Sequence, residues 1–298
     1  MTAPEPTVPD PVAAARWARA LPEVSPWLHE EVARRMAQRL DWITRVPRRW
    51  AHWGPARGGL QAHAALVQRY PQAEVYLVEA DAAASERVRA ALTPAWWQTA
   101  RWRGPALHAG RPPDQGVDLV WSNMALHAQA QPQQLLAQWR AALAVDGFLM
   151  FSCFGPDTLR ELRALHQRHG WPPPAHVFTD MHDWGDQLLH AGFAEPVMDM
   201  ERITLSFATP ERLLQELREL GRNLHPQRPA GLRTPRWLAQ WKAAAAAELA
   251  NPAEGGRLTL SFEIVYGHAF KAAPRPARST EARIGLDEVK RSLSQRKP

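Results

Sequence analysis

The sequence predicts an α/β fold, a doubly wound sheet carrying a helical insertion near its C-terminal end. Three observations carry that expectation. Short apolar runs alternate with helix-patterned segments from residue 50 to about 154, as parallel strands and their crossovers do. A glycine-bearing turn, "GPARGG" at residues 54–59, joins the first apolar run to a helical stretch. Two strand-like stretches, "RITLSF" and "RLTLSFEIVYGHAF", then flank a block of helical pattern.

The elements follow in order. Residues 1–26 are rich in proline and are expected as a flexible leader, without the basic start or apolar centre of a signal peptide. "PWLHEEVARRMAQRLDWI" spaces Leu28, Val32, Met36, Leu40 and Ile43 three or four apart, one face of an amphipathic helix. Trp50–Trp53 reads as a strand, Leu60–Tyr70 as a helix, Val75–Val78 as a second strand and Ala82–Leu92 as a helix. "GVDLVWSNMAL" gives a buried strand ending near Ser122, a helix follows over Pro132–Leu143, and "DGFLMFSCF" is the next strand. "DMHDWGDQLLHAGF" is helical, with Asp180 as N-cap and Gly192 as C-cap. "PERLLQELRELG" and "TPRWLAQWKAAAAAEL" place a helical insertion over 208–257, where it can act as a lid on the sheet's carboxyl edge. The folded domain is expected over 27–270, and the charged, proline-interrupted residues 271–298 as a flexible basic tail.

Composition narrows the function classes. No apolar run reaches the ~20 residues that cross a bilayer, so no membrane association is expected. The single cysteine, Cys153, excludes an intrachain disulfide and suits a reducing, cytoplasmic setting. A net charge of +6 points to an acidic partner. The positive residues are scattered and many have Glu at helical spacing, so an acidic protein ranks ahead of nucleic acid. The 14 tryptophans invite base stacking. Trp27, Trp42, Trp96, Trp97, Trp139 and Trp241, however, lie in helical or leucine-rich settings where core packing is the commoner fate. "HVFTDMHDWGD" offers His176, Asp180, His182, Asp183 and Asp186 at spacings that fit no metal motif, and no metal is expected.

Ligands of doubly wound sheets bind at the carboxyl ends of the strands. Four pieces converge on that edge: the turn Gly54–Gly59, Glu79 closing the second strand, Ser122-Asn123 closing another, and "FGPDTLRELR" after the next, where Pro156 can start a helix. Each has a plainer reading. The glycines can serve only a tight turn, Glu79 can cap the following helix, and Arg160 and Arg163 can pair with Glu161 on a helix surface. Taken in order, a strand-end acid after a glycine turn is what an adenosine-containing ligand requires.

The same order of pieces resembles the class I S-adenosylmethionine-dependent methyltransferases. "DLVWSNMALH", "QPQQLLAQWRAALAVDGFLMFSCFGPDTLRELR" and "AGFAEPVMDMERITLSF" are similar to the malonyl-acyl-carrier-protein O-methyltransferases of biotin synthesis, over roughly Leu28 to Phe270. "WLHEEVARRMAQRLDWI", "MALH" and "FGPDTLRELR" also resemble the methyltransferase-fold assembly factors of respiratory complex I, associated with arginine hydroxylation. The resemblance implies a Rossmann-like methyltransferase sheet, mostly parallel with an antiparallel C-terminal strand. It implies S-adenosylmethionine as cofactor, an acidic acyl-carrier protein as the substrate's carrier, and O-methylation of a malonyl carboxylate. The alternative is a degenerate assembly factor or protein-arginine hydroxylase without methyl transfer. By the same resemblance Gly54, Gly58, Gly59, Glu79 and Asn123 bind the cofactor, while His52 and Ala56 stand where the family has Asp and Gly. Arg160 and His127 are expected to hold the acceptor carboxylate.

Overall fold

The computed structural model describes residues 8–94, 96–97 and 104–273; the tail expected beyond residue 273 lies outside them. The helices are α1 (Pro11–Arg19), α2 (Trp27–Gln38), the single turn α3 (Pro55–Gly58), α4 (Leu60–Arg69) and α5 (Ala82–Leu92). They continue with α6 (Pro132–Ala142), α7 (Arg160–Arg168), α8 (Met181–His190), α9 (Pro210–Leu220) and α10 (Pro235–Glu248). The strands are β1 (Arg49–Trp53), β2 (Glu74–Val78), β3 (Leu107–Ala109), β4 (Val117–Ser122), β5 (Leu143–Phe154), β6 (Ala194–Phe207), β7 (Ala250–Asn251) and β8 (Arg257–Phe270).

The strands form one sheet in the order β3-β2-β1-β4-β5-β8-β6, with β7 paired to β8. β3, β2, β1, β4 and β5 run parallel, and β8 is antiparallel to both neighbours. Trp53 lies opposite both Val78 and Ser122, and Ser122 opposite Phe151, so the carboxyl ends of the four central strands share one edge. Side chains alternate between two cores, as a pleated strand requires. Trp50, Trp121, Phe148 and Met150 enter one, Ala51, Trp53, Leu149, Phe151 and Cys153 the other.

Three expectations are corrected. The leader contains a helix: Asp10 caps α1 by accepting the Ala13 N–H at 2.7 Å, Pro11 starts it, and the Asp10 N–H donates to the Leu224 carbonyl at 2.8 Å. Helix α7 begins at Arg160 rather than at Pro156, because Leu159 is left-handed (φ 58°) and breaks the helical run before it. Among the six tryptophans expected in the core, Trp139 and Trp241 are buried, but Trp27, Trp42, Trp96 and Trp97 are exposed. The core instead takes Trp50 and Trp121 from β1 and β4, whose two faces are both covered.

Candidate active site

Strand β1 ends at Trp53 and the chain turns at Gly54, whose left-handed backbone (φ 72°) suits glycine and whose N–H donates to the Val78 carbonyl at 2.8 Å. Pro55–Gly58 makes one helical turn, and Gly59 (φ 131°) sets the entry into α4. The N–H groups at the start of α4 are already taken. Leu60 N donates to Ser25 Oγ at 3.2 Å, and Gln61 and Ala62 N donate to the Glu30 carboxylate at 3.1 and 3.3 Å. A Cβ on Gly59 would lie 2.9 Å from that same carboxylate. Gly59 is therefore a packing position against α2 rather than a ligand contact, and Gly58 lies under the loop, its carbonyl held by Asn123.

Asn123 lines the larger cavity, and its side chain also serves as a brace. Its Nδ2 donates to the carbonyls of Gly58 and His29 (2.8 Å to the latter), and its Oδ1 accepts from the Ser152 hydroxyl at 2.6 Å. With both amide protons and the oxygen engaged, the side chain holds the loop onto β4 and β5. His52 also faces away from the edge, buried and stacked on His63 with ring centroids 5.5 Å apart. Burial, and next the neighbouring His63, keep it neutral by lowering its pKa well below the usual histidine value.

Glu79 stays at the edge. Its Oε1 accepts the Ala56 N–H at 2.9 Å, and Oε2 makes no hydrogen bond among the described residues. Burial raises its carboxyl above the ordinary range, opposed by the Ala56 N–H and the positive Arg57. Around Glu79 lies a cavity of about 500 Å³, walled by Gly54, Arg57, Met124 and the α1 residues Ala14 and Trp17. A second cavity, about 240 Å³, is lined by His127, Phe154, His176 and Phe178 and by Leu214 and Leu217 of the insertion. Trp17 and Ala128 border both, so the two spaces adjoin.

His127 lies on the wall of the second cavity. Its Nδ1 accepts the Phe154 N–H at 3.4 Å, so the neutral ring carries its proton on Nε2. Burial holds its pKa well below the usual histidine value, and the unfavourable charge interactions that a protonated ring would have with His176, His29 and Arg57 add to the effect. His176, absent from the predicted site, donates from Nε2 to the His127 carbonyl at 2.8 Å and leaves a buried Nδ1 without a partner. Arg160 is not part of either cavity. As the first residue of α7 it points outward, half exposed, 3.1 Å from Glu161 and 3.7 Å from Asp157. Arg163 turns inward instead and donates to the Pro156 carbonyl. The turn before α7 is held from below by β8. Glu263 accepts the Asp157 N–H at 3.0 Å, and the Thr158 hydroxyl donates to the Glu263 carbonyl at 3.0 Å.

Sequence reasoning also missed Trp17, although Asp10-Pro11 is itself a helix-start signal. Among the described residues no cluster of three metal-ligating side chains occurs; in "HVFTDMHDWGD" Asp180 caps α8, accepting the His182 N–H at 2.8 Å.

Residues 54–151 match the family model described as a methyltransferase domain. The chain is 37% identical to the malonyl-acyl-carrier-protein O-methyltransferase of Halorhodospira halophila, over 89% of each. It is 38% identical to the protein of that description from Laribacter hongkongensis, over 85% of this chain and 86% of the relative. Among solved structures, a Bacillus halodurans protein assigned provisionally to the methyltransferases has a TM-score of 0.53. It covers 82% of this chain and all of its own at 13% identity, a likeness of fold alone.

Proposed function

Since this chain belongs to the malonyl-acyl-carrier-protein O-methyltransferase family, we propose that it methylates the free carboxylate of a malonyl thioester on acyl-carrier protein, drawing the methyl from S-adenosylmethionine, as a step of biotin synthesis. The observation that supports this reading is the pair of adjoining cavities at one sheet edge, divided by Trp17. The first fits the cofactor. Glu79 Oε2 is open to accept ribose hydroxyls, Gly54 lets a ligand approach the backbone, and about 500 Å³ suits a molecule of that size. Bound there, S-adenosylmethionine supplies an electrophilic methyl group on a sulfonium sulfur.

The protein's own part is orientation and exclusion of water. A malonyl carboxylate, with an ordinary pKa near ~4, is ionised at neutral pH and needs no general base. His127 offers Nε2–H, a neutral donor that can hold one carboxylate oxygen without the tight ion pair that would quench the other. Phe154, Phe178 and Leu217 leave little room for water beside the acceptor. Arg218 and Arg222 border the same cavity on the exposed side, where an acidic carrier is attracted.

Methyl transfer from labelled cofactor to malonyl-acyl-carrier protein tests this reading. Wild type should methylate the carrier-bound malonyl group. His127→Phe should lower turnover about ten-fold or more, the scale of one lost donor. Arg160→Ala should stay within about two-fold, since only an exposed pair is lost. Cofactor binding without transfer would sink the substrate assignment. No cofactor binding by wild type would sink the enzyme reading and leave the assembly-factor reading in its place.

A further inference from the structure

The loop after β1 carries one charged side chain, Arg57, and it lies on the wall of the larger cavity. Its guanidinium sits 3.5 Å over the Trp17 ring, and Nη2 donates to the carbonyls of Trp17 (3.2 Å) and Ala20 (2.5 Å). Its Nε and Nη1 make no hydrogen bond among the described residues, which leaves three N–H donors open. No described carboxylate lies within ion-pair distance, for Glu79 turns its Oε1 to the Ala56 N–H instead. A half-buried guanidinium without a counter-ion is an incomplete arrangement, and a ligand anion would complete it. The same desolvation brings its pKa down to about 10, against the pull of Glu79.

Strand order supplies the direction. β2, β1 and β4 lie side by side, with β5 next. Glu79 follows β2, Arg57 follows β1, and the second cavity opens beyond β4 and β5 at His127 and Phe154. A ligand whose ribose rests on Glu79 and whose reactive end meets the second cavity must cross the end of β1, past Arg57. We infer that Arg57 binds the amino-acid carboxylate of the cofactor through its positive charge and an open N–H, an inference that rests on the S-adenosylmethionine reading above. With both Nη2 protons given to the Trp17 and Ala20 carbonyls, an open Nη1–H or Nε–H is left to hold one carboxylate oxygen in a charge-assisted hydrogen bond. His52 is stacked into the core and Asn123 is spent on bracing, so Arg57 is the ionic contact this loop has to offer.

Titration calorimetry with three ligands tests it: S-adenosylhomocysteine, its decarboxylated form and 5′-methylthioadenosine. Arg57→Met should weaken S-adenosylhomocysteine about 10- to 100-fold while changing the two ligands without a carboxylate by no more than about two-fold. Arg57→Lys keeps the charge and a stem on Trp17 but lacks the guanidinium that can hold the two backbone carbonyls and still offer a free N–H, and should fall between. Melting curves of the unliganded variants show whether each is folded; if Arg57→Met is not, the same comparison is made with Arg57→Lys. Equal weakening of all three ligands, or unchanged S-adenosylhomocysteine affinity, would overturn the inference while keeping the cofactor. Failure of wild type to bind any of the three removes the cofactor reading itself, and Arg57's role with it.

Discussion

At the residue scale the two oxygens of Glu79 have separate work. Oε1 braces the turn through the Ala56 N–H, and Oε2 has no hydrogen-bond partner among the described residues. Glu79→Ala should cost about 1–3 kcal/mol of cofactor affinity by calorimetry, the range for unpairing buried polar groups; unchanged affinity would take Glu79 out of the site. The buried histidines have the opposite character, since burial keeps them uncharged. His29, His63 and His176 are held at about 4, where the free side chain titrates near 6.5. Between those values the unfolded chain binds more protons than the folded one, so stability rises with pH across that window and is lost as pH falls through it. The raised carboxyls of Glu79, Glu216 and Glu263 act in the other direction, taking protons more readily when folded. A single-site comparison separates the two. Between pH 7 and 5, urea unfolding of wild type should lose about 1–2 kcal/mol more than His63→Phe does. Parallel pH dependence in the two proteins would show that His63 already charges in the fold.

At the element scale, the site is assembled from segments far apart in sequence. Helix α2 caps α4 through Glu30, and the close approach of that carboxylate is what Gly59 permits. Gly59→Ala adds a Cβ at a positive φ and 2.9 Å from Glu30, so it should destabilise by more than about 1 kcal/mol, seen as a lower melting temperature. Helix α1 is tied to the segment after α9 by the Arg228–Asp10 pair at 3.2 Å and the Asp10 N–H bond to Leu224. Leu214 and Leu217 of α9 meanwhile face the second cavity. We propose that residues 208–257 act as a lid, and their amide hydrogens should then exchange more slowly with cofactor and acyl substrate bound. Equal exchange with and without ligands would count against closure. "PERLLQELRELG" was legible as a helix from its leucine spacing. That it meets α1 across the cavity was not, because helical periodicity says which face is apolar and not what it meets.

At the scale of the whole molecule, the net charge of +6 acts on encounter rather than on fold. Methyl transfer to an acidic carrier protein should slow as salt rises from about 50 to 300 mM through KM, with kcat nearly constant, whereas transfer to a small malonyl thioester should be much less affected. Equal salt dependence for both substrates would remove the carrier from the explanation. The sheet is the part of the molecule most legible in advance. β4 and the second half of β5 are buried on both faces, so "DLVWS" and "DGFLMFSCF" announce themselves as apolar runs between helices. β3, three residues long and only partly buried, gives no such signal.

The sequence by itself determined the alternation of strands and helices, the position of the glycine turn, the acid that ends β2 and the helical block between the last long strands. Each depends on local spacing or on a short stretch of chain, which patterning and turn chemistry specify. Tertiary structure alone decided which polar side chains at the edge keep a free hydrogen-bonding atom. Asn123 and Glu79 both close strands, yet one is consumed by Gly58, His29 and Ser152 while the other keeps an oxygen open. Arg160 and Arg57 are both cations near a strand end, yet a left-handed Leu159 turns the first to solvent and Trp17 draws the second inward. Side-chain direction depends on partners up to a hundred residues away, and no local pattern encodes where those partners will stand.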